Sequence, residues 1–185
     1  VLAAFAAACS STKNSASMSP EKMQAAWATY MTPGPNHKLL EPMVGTYRAT
    51  VKSRMSADQP WEESTGTCTN RWIFDGRFLE TSFQGQFGGM PFEGRGLTGY
   101  DNAAQEFVGL WTDSMSTGLM PISHGSVDAT GKVFTYTREM DDPITGVHTV
   151  MRDVTTIESS KSHRMETYCH PDGGDEYHMM TIQFA

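Results

Sequence analysis

DGRFLETSFQGQFGGMPFEGRGLTGYDN, residues 75–102, decides how the chain folds. It holds two strand-sized runs, Arg77–Phe87 and Pro91–Tyr100, bracketed by Asp75-Gly76 and Asp101-Asn102. In the first run Leu79, Phe83 and Phe87 fall on one face while Glu80, Ser82 and Gln84 fall on the other, the two-residue alternation of a strand buried on one side. Gly85, Gly88, Gly89, Gly94, Gly96 and Gly99 make no phosphate loop, because no helix follows to offer its N-terminus. They are expected to be bulges and bends that let a sheet curve tightly.

Outward from this stretch the same grammar continues. Runs rich in Thr, Val, Tyr, Phe and Trp recur between Gly, Asp, Asn or Pro clusters at roughly 8 to 14 residue intervals. The runs are Gly45–Met55, Ser64–Phe74, Arg77–Phe87, Pro91–Tyr100, Glu106–Asp113, Gly118–Val127, Lys132–Met140, Val147–Ile157, His163–Cys169 and Glu176–Phe184. Phe107 and Trp111 share a face, as do Phe134 and Tyr136, and Met180, Ile182 and Phe184. Connectors such as Ala129-Thr130-Gly131 and Asp172-Gly173-Gly174 suit hairpins, and none is long enough for a crossover helix. Consecutive hairpins predict an all-β, ten-stranded antiparallel up-and-down barrel, whose closure removes exposed sheet edges. Upstream, Ser19-Pro20-Glu21 combines a Ser N-cap, Pro at the first helical position and an acid in the first turn. Met23, Ala26, Trp27, Tyr30 and Met31 follow at helical spacing, so one N-terminal helix, 19–31, is expected to cover an end of the barrel.

The 185 residues suit one domain, 19–185, preceded by a tail. Val1 to Ala8 is apolar, uncharged and ends in small residues before Cys9. Residues 1–8 read as the end of a truncated signal-peptide h-region, and 9–18 as a linker. Small residues before a Cys are similar to the lipobox of bacterial lipoproteins, which makes Cys9 the lipidation site. Ser10 after it resembles the default signal for the outer membrane of a Gram-negative cell, facing the periplasm. Ala6-Ala7-Ala8 also fits ordinary A-x-A cleavage. In an oxidising compartment a Cys68–Cys169 disulfide and two independent buried thiols both stay open. With 14 Lys+Arg against 21 Asp+Glu, a net charge of −7 and no basic stripe, nucleic acid is not an expected partner.

YMTPGPNHKLLEPMVGTY, residues 30–47, resembles the opening of the bacterial family called domain of unknown function 1579. GRFLE at 76–80, GMPFEG at 89–94, TGYDN at 98–102, WTDSMSTG at 111–118 and DDPITG at 141–146 extend the resemblance over most of residues 21–184. Where members usually carry Gly-x-Trp at the first strand, this chain has Gly45-Thr46-Tyr47, similar to the opening strand of lipocalin-type barrels. The resemblance implies a calycin-like barrel whose interior can hold a small apolar ligand, and it implies no reaction.

Chemistry-bearing patterns are sparse. Histidines at 37, 124, 148, 163, 170 and 178 form no H-x-H, H-E-x-x-H or C-x-x-C-H, so no metal site and no cofactor are expected. His178, on the last strand beside Met179 and Met180, is the one haem candidate, by analogy with nitrobindin-like barrels. Asp113-Ser114 and Asp141-Asp142 read as turn chemistry, leaving no catalytic residue to name. Thirteen methionines can instead line a soft apolar lumen. Its candidate lining is Met90, Met115, Met151, Met165 and Met179 with the aromatics Phe92, Trp111 and Tyr136. Arg71, Arg95 and Arg152 lie within strands and face either solvent or that lumen, where Arg71 or Arg152 would meet a ligand carboxylate. The expectation is a non-catalytic, membrane-tethered binder of a small, mostly apolar molecule. The alternative is a solidly packed module that docks an envelope protein, and an enzyme ranks last. An open lumen separates the first from the second.

Overall fold

A computed structural model of the chain describes residues 18–185. The segments expected to be a signal peptide, a lipid anchor at Cys9 and a linker up to Ser17 lie outside the described residues. The chain divides into two units, the first described from Met18 to Thr32 and the second being Pro33–Ala185.

In the first unit, helix α1 spans Pro20–Met31. Ser19 caps it, its side chain accepting from the Lys22 amide at 3.4 Å, and Pro20 occupies the first turn, where a missing N–H costs nothing. Trp27 and Tyr30, one turn apart, meet edge to face at 5.7 Å. None of the α1 residues is buried.

The second unit opens with a short helix α2, Pro35–Lys38, and a 3-10 turn, Glu41–Met43. Ten strands follow: β1 Gly45–Ser53, β2 Glu62–Ile73, β3 Phe78–Phe87, β4 Met90–Asp101, β5 Glu106–Asp113, β6 Ser123–Val127, β7 Val133–Asp141, β8 His148–Ser159, β9 Ser162–Pro171 and β10 Tyr177–Phe184. Each pairs antiparallel with its sequence neighbour, and β1 closes on β10 with Ala49 opposite Phe184, so the barrel is closed as expected.

β6 begins at Ser123, not at Gly118, because residues 118–122 belong to the long β5–β6 connection. The glycines of β3 and β4 are not bulges. Their register runs unbroken from Phe78 opposite Gly99 to Phe87 opposite Met90. They make room for rings instead: a Cβ on Gly94 would lie 2.1 Å from the Trp111 ring. Gly88 and Gly89, at φ +55° and +78°, form the tight hairpin between the two strands, a backbone that few other residues adopt.

Alternation points one set of side chains inward. Leu79 and Phe83 of β3, Phe107 of β5, Phe134 and Tyr136 of β7, and Ile182 and Phe184 of β10 are all buried. Leu40 and Met43 pack with Leu79, Phe107, Phe134 and Ile157 and fill the end where β1 starts. Tyr100, Phe107 and Phe134 meet there edge to face at 5.0 and 5.1 Å. The Tyr47 hydroxyl donates to the carbonyls of Pro42 and Val44, tying plug to wall. Asn70 donates to the Met43 carbonyl at 2.9 Å.

Candidate binding cavity

The barrel is filled at the plugged end and hollow beyond it. A cavity of about 420 Å³ begins at Met43 and Leu79 and runs toward the opposite end, where Phe87, Met115, Met120 and Met179 form its mouth. That volume lies within the usual range for small-molecule sites. The walls are set by the strand period: Phe83 and Phe87 from β3, Phe92 from β4, Trp111 from β5, Met165 from β9 and Ile182 from β10. Trp111 lies across the strip that Gly94 and Gly96 leave bare, and its indole N–H donates to Asp113 at 2.9 Å.

One sector of the wall is polar. Tyr136 of β7 stands opposite Asp153 of β8, which stands opposite Thr167 of β9. Two residues along β7, Arg138 points the same way and its guanidinium is ion-paired with Asp153. The Thr167 hydroxyl donates to the other Asp153 oxygen at 2.6 Å. Both charged side chains are largely enclosed, at 12% and 16% exposure. The Tyr136 hydroxyl, Arg138 Nε and His163 Nδ1 are buried without a hydrogen-bond partner. His163 stacks on Phe184 at 4.4 Å and meets the Tyr47 ring edge-on at 4.8 Å. Burial pulls its imidazole down to about 4, so the ring is neutral at physiological pH. Burial also pushes the Cys68 thiol up to about 12 and raises the Tyr136 phenol, keeping both protonated. A thiol so held is a poor nucleophile and a poor metal ligand.

Of the residues picked from sequence, Phe92, Trp111, Met115, Tyr136, Met165 and Met179 line this cavity. Four do not. The Arg71 side chain is 69% exposed and pairs with Glu80 across β2 and β3, because the inward set on β2 is the alternate one containing Cys68 and Asn70. Arg152 faces outward for the same reason, bridging Glu176 and lying over the Tyr168 ring at 4.1 Å. Met90 sits at the β3–β4 hairpin, half exposed. Met151 is buried on the inward face of β8 yet outside the cavity lining. Arg95 is outward, on Ser82.

Cys68 and Cys169 are both buried and free. Their strands are separated in the wall by β1 and β10, three steps of about 4.8 Å, too far for the roughly 7 Å that a disulfide spans between Cα atoms. His178 lies on the outer face, stacked on Tyr168 at 4.9 Å and beside Trp61, with Nε2 near the Met180 carbonyl and the Thr181 hydroxyl, so it offers no ligand to the lumen. Among the described residues no three His, Cys, Asp or Glu side chains converge on a metal position. Asp113 and Asp142 accept backbone amides two and three residues ahead, which is the turn chemistry expected of them.

Comparison with known proteins agrees with the architecture. The crystal structure of Rv2717c from M. tuberculosis is similar in fold, with a TM-score of 0.59 at 13% sequence identity, covering 83% of this chain and 98% of that one. No curated protein matches. The family model described as "Protein of unknown function (DUF1579)" matches residues 32–185, the span that holds the plug and all ten strands, and the chain belongs to that family.

Proposed function

We propose that this chain is a non-catalytic exported lipoprotein whose barrel holds a small, mostly apolar molecule in its lumen. It is tethered through Cys9 to the outer membrane and faces the periplasm. The observation that carries the reading is the open lumen, a cavity of about 420 Å³ whose walls are predominantly apolar, with Met and Phe the most frequent apolar side chains. A barrel built only to dock an envelope protein gains by filling that space, because an unfilled apolar cavity destabilises a core. The docking alternative keeps one support, the exposed apolar side chains Met55, Leu119, Ile122 and Ile144 on connections around the mouth, with Met90 at the start of β4. The anchor rests on the apolar residues before Cys9.

The test is native mass spectrometry with an absorption spectrum on the protein taken gently from its own cell envelope. A retained apolar species of small-molecule mass, lost on organic extraction, supports the lumen reading. An empty monomer that also admits no uncharged fluorescent probe overturns it in favour of docking. The mass of the N-terminal peptide reads the diacylglycerol on Cys9.

A further inference from the structure

We infer that the lumen selects an uncharged amphiphile, one with a hydroxyl or carbonyl group on an apolar body, over a carboxylate of the same body. The inference rests on the lumen reading above and deepens it. Its basis is the arrangement of charge around the cavity.

A buried arginine facing an apolar cavity ordinarily invites a carboxylate. Here that place is taken. Arg138 is already ion-paired with Asp153, whose second oxygen is held by Thr167. Asp113, carrying the Trp111 indole, adds another carboxylate to the lining. The lining therefore holds one cation against two carboxylates, with His163, Tyr136 and Cys68 uncharged. A ligand carboxylate reaches Arg138 only beside Asp153 or in its place, and either way one carboxylate is left in a low-dielectric enclosure without a cation. The protein's net charge of −7 adds no compensating field.

The same wall is still not content with a pure hydrocarbon. Arg138 Nε, the Tyr136 hydroxyl and His163 Nδ1 are buried on cavity-lining residues without partners, and native proteins rarely leave such groups unmatched. These atoms are covered in the empty lumen, so a neutral ligand oxygen meets them after a small turn of the side chains that carry them, and it brings no charge with it. One hydroxyl or carbonyl, with the rest of the molecule against Phe83, Trp111 and Met165, fits both halves of the cavity.

The experiment uses the full chain and the uncharged probe N-phenyl-1-naphthylamine, displaced at neutral pH by decanol, 2-decanone or decanoate. Decanol or 2-decanone is expected to displace it at concentrations roughly tenfold or more below decanoate. Asp153→Asn removes the resident counter-charge and keeps an acceptor for Thr167, so decanoate is expected to gain at least that factor while decanol changes little. Adding Arg138→Met to Asp153→Asn is expected to erase that gain for decanoate. Circular dichroism reports whether each variant folds, and the wild-type ranking stands without them. Decanoate binding the wild type as well as decanol does overturns the inference. Probe uptake with no response to decanol or 2-decanone also overturns it while leaving the lumen binder standing. Exclusion of the probe itself overturns both.

Discussion

At the scale of single residues, Arg138 and Asp153 are the pair on which the site turns, and both were legible in a pattern that reading for chemistry passes over. Arg138 follows Phe134 and Tyr136 at two-residue spacing, and Asp153 stands between Met151 and Thr155 in the same way. A charged residue in step with residues bound for the core is a lumen residue. Arg71, Arg95 and Arg152 attract attention as strand arginines, yet each is out of step with its strand's buried set. Because the pair is largely enclosed, removing one member leaves the other uncompensated. Arg138→Met is expected to destabilise the fold by about 3 kcal/mol in urea unfolding, whereas Arg138→Met with Asp153→Leu recovers most of that loss. Equal stability of the single and double variants would show that water reaches the pair freely. His163 makes a second prediction. Its folded imidazole titrates at about 4 against an ordinary 6.5, so below 6.5 the unfolded chain binds a proton that the folded one refuses. The stability that its neutral ring allows is full above 6.5 and is lost as pH falls toward about 4, by roughly 3 kcal/mol at the bottom of that window. His163→Phe, which keeps a ring against Phe184, is expected to flatten that part of the pH profile of urea midpoints.

Among the elements, strands were read well and the plug was not. Nine runs lie within a few residues of the observed strands, because period two and short turns are local properties. The exception is β6, where the apolar Leu119, Met120 and Ile122 read as strand although they line a mouth connection. No residue of α1 is buried. The side chains that do fill a barrel end come from the short Pro35–Met43 segment, whose single turns are too brief to show any periodicity. Leu40 is fully buried there, against Phe107 and Phe134. Leu40→Ala is expected to cost about 3 kcal/mol, read as a lowered denaturation midpoint, with the strand signal in far-ultraviolet circular dichroism intact below it. A loss under about half a kcal/mol would mean that the end closes without the plug.

For the whole molecule the decisive property is that the barrel is hollow above its plug. Gly109 tests this directly, since it faces the cavity and a Cβ added there meets only Ser123, at 3.9 Å. Gly109→Leu is expected to leave the melting temperature near or above that of the wild type while lowering uptake of an apolar fluorescent probe roughly tenfold. Unchanged uptake in a folded variant would place the probe outside the lumen. By itself the sequence determined a closed ten-stranded meander, its hairpins and the family, because alternation and turn residues act between neighbours along the chain, while which face of each strand turns inward was left to the tertiary structure. Tertiary structure alone decided what the inward residues enclose. Whether ten inward rows meet or leave about 420 Å³ between them depends on how Trp111 lies over Gly94, how far Leu40 and Met43 reach in, and which cation finds Asp153. Those are packing relations between residues far apart in sequence, and no local pattern carries them.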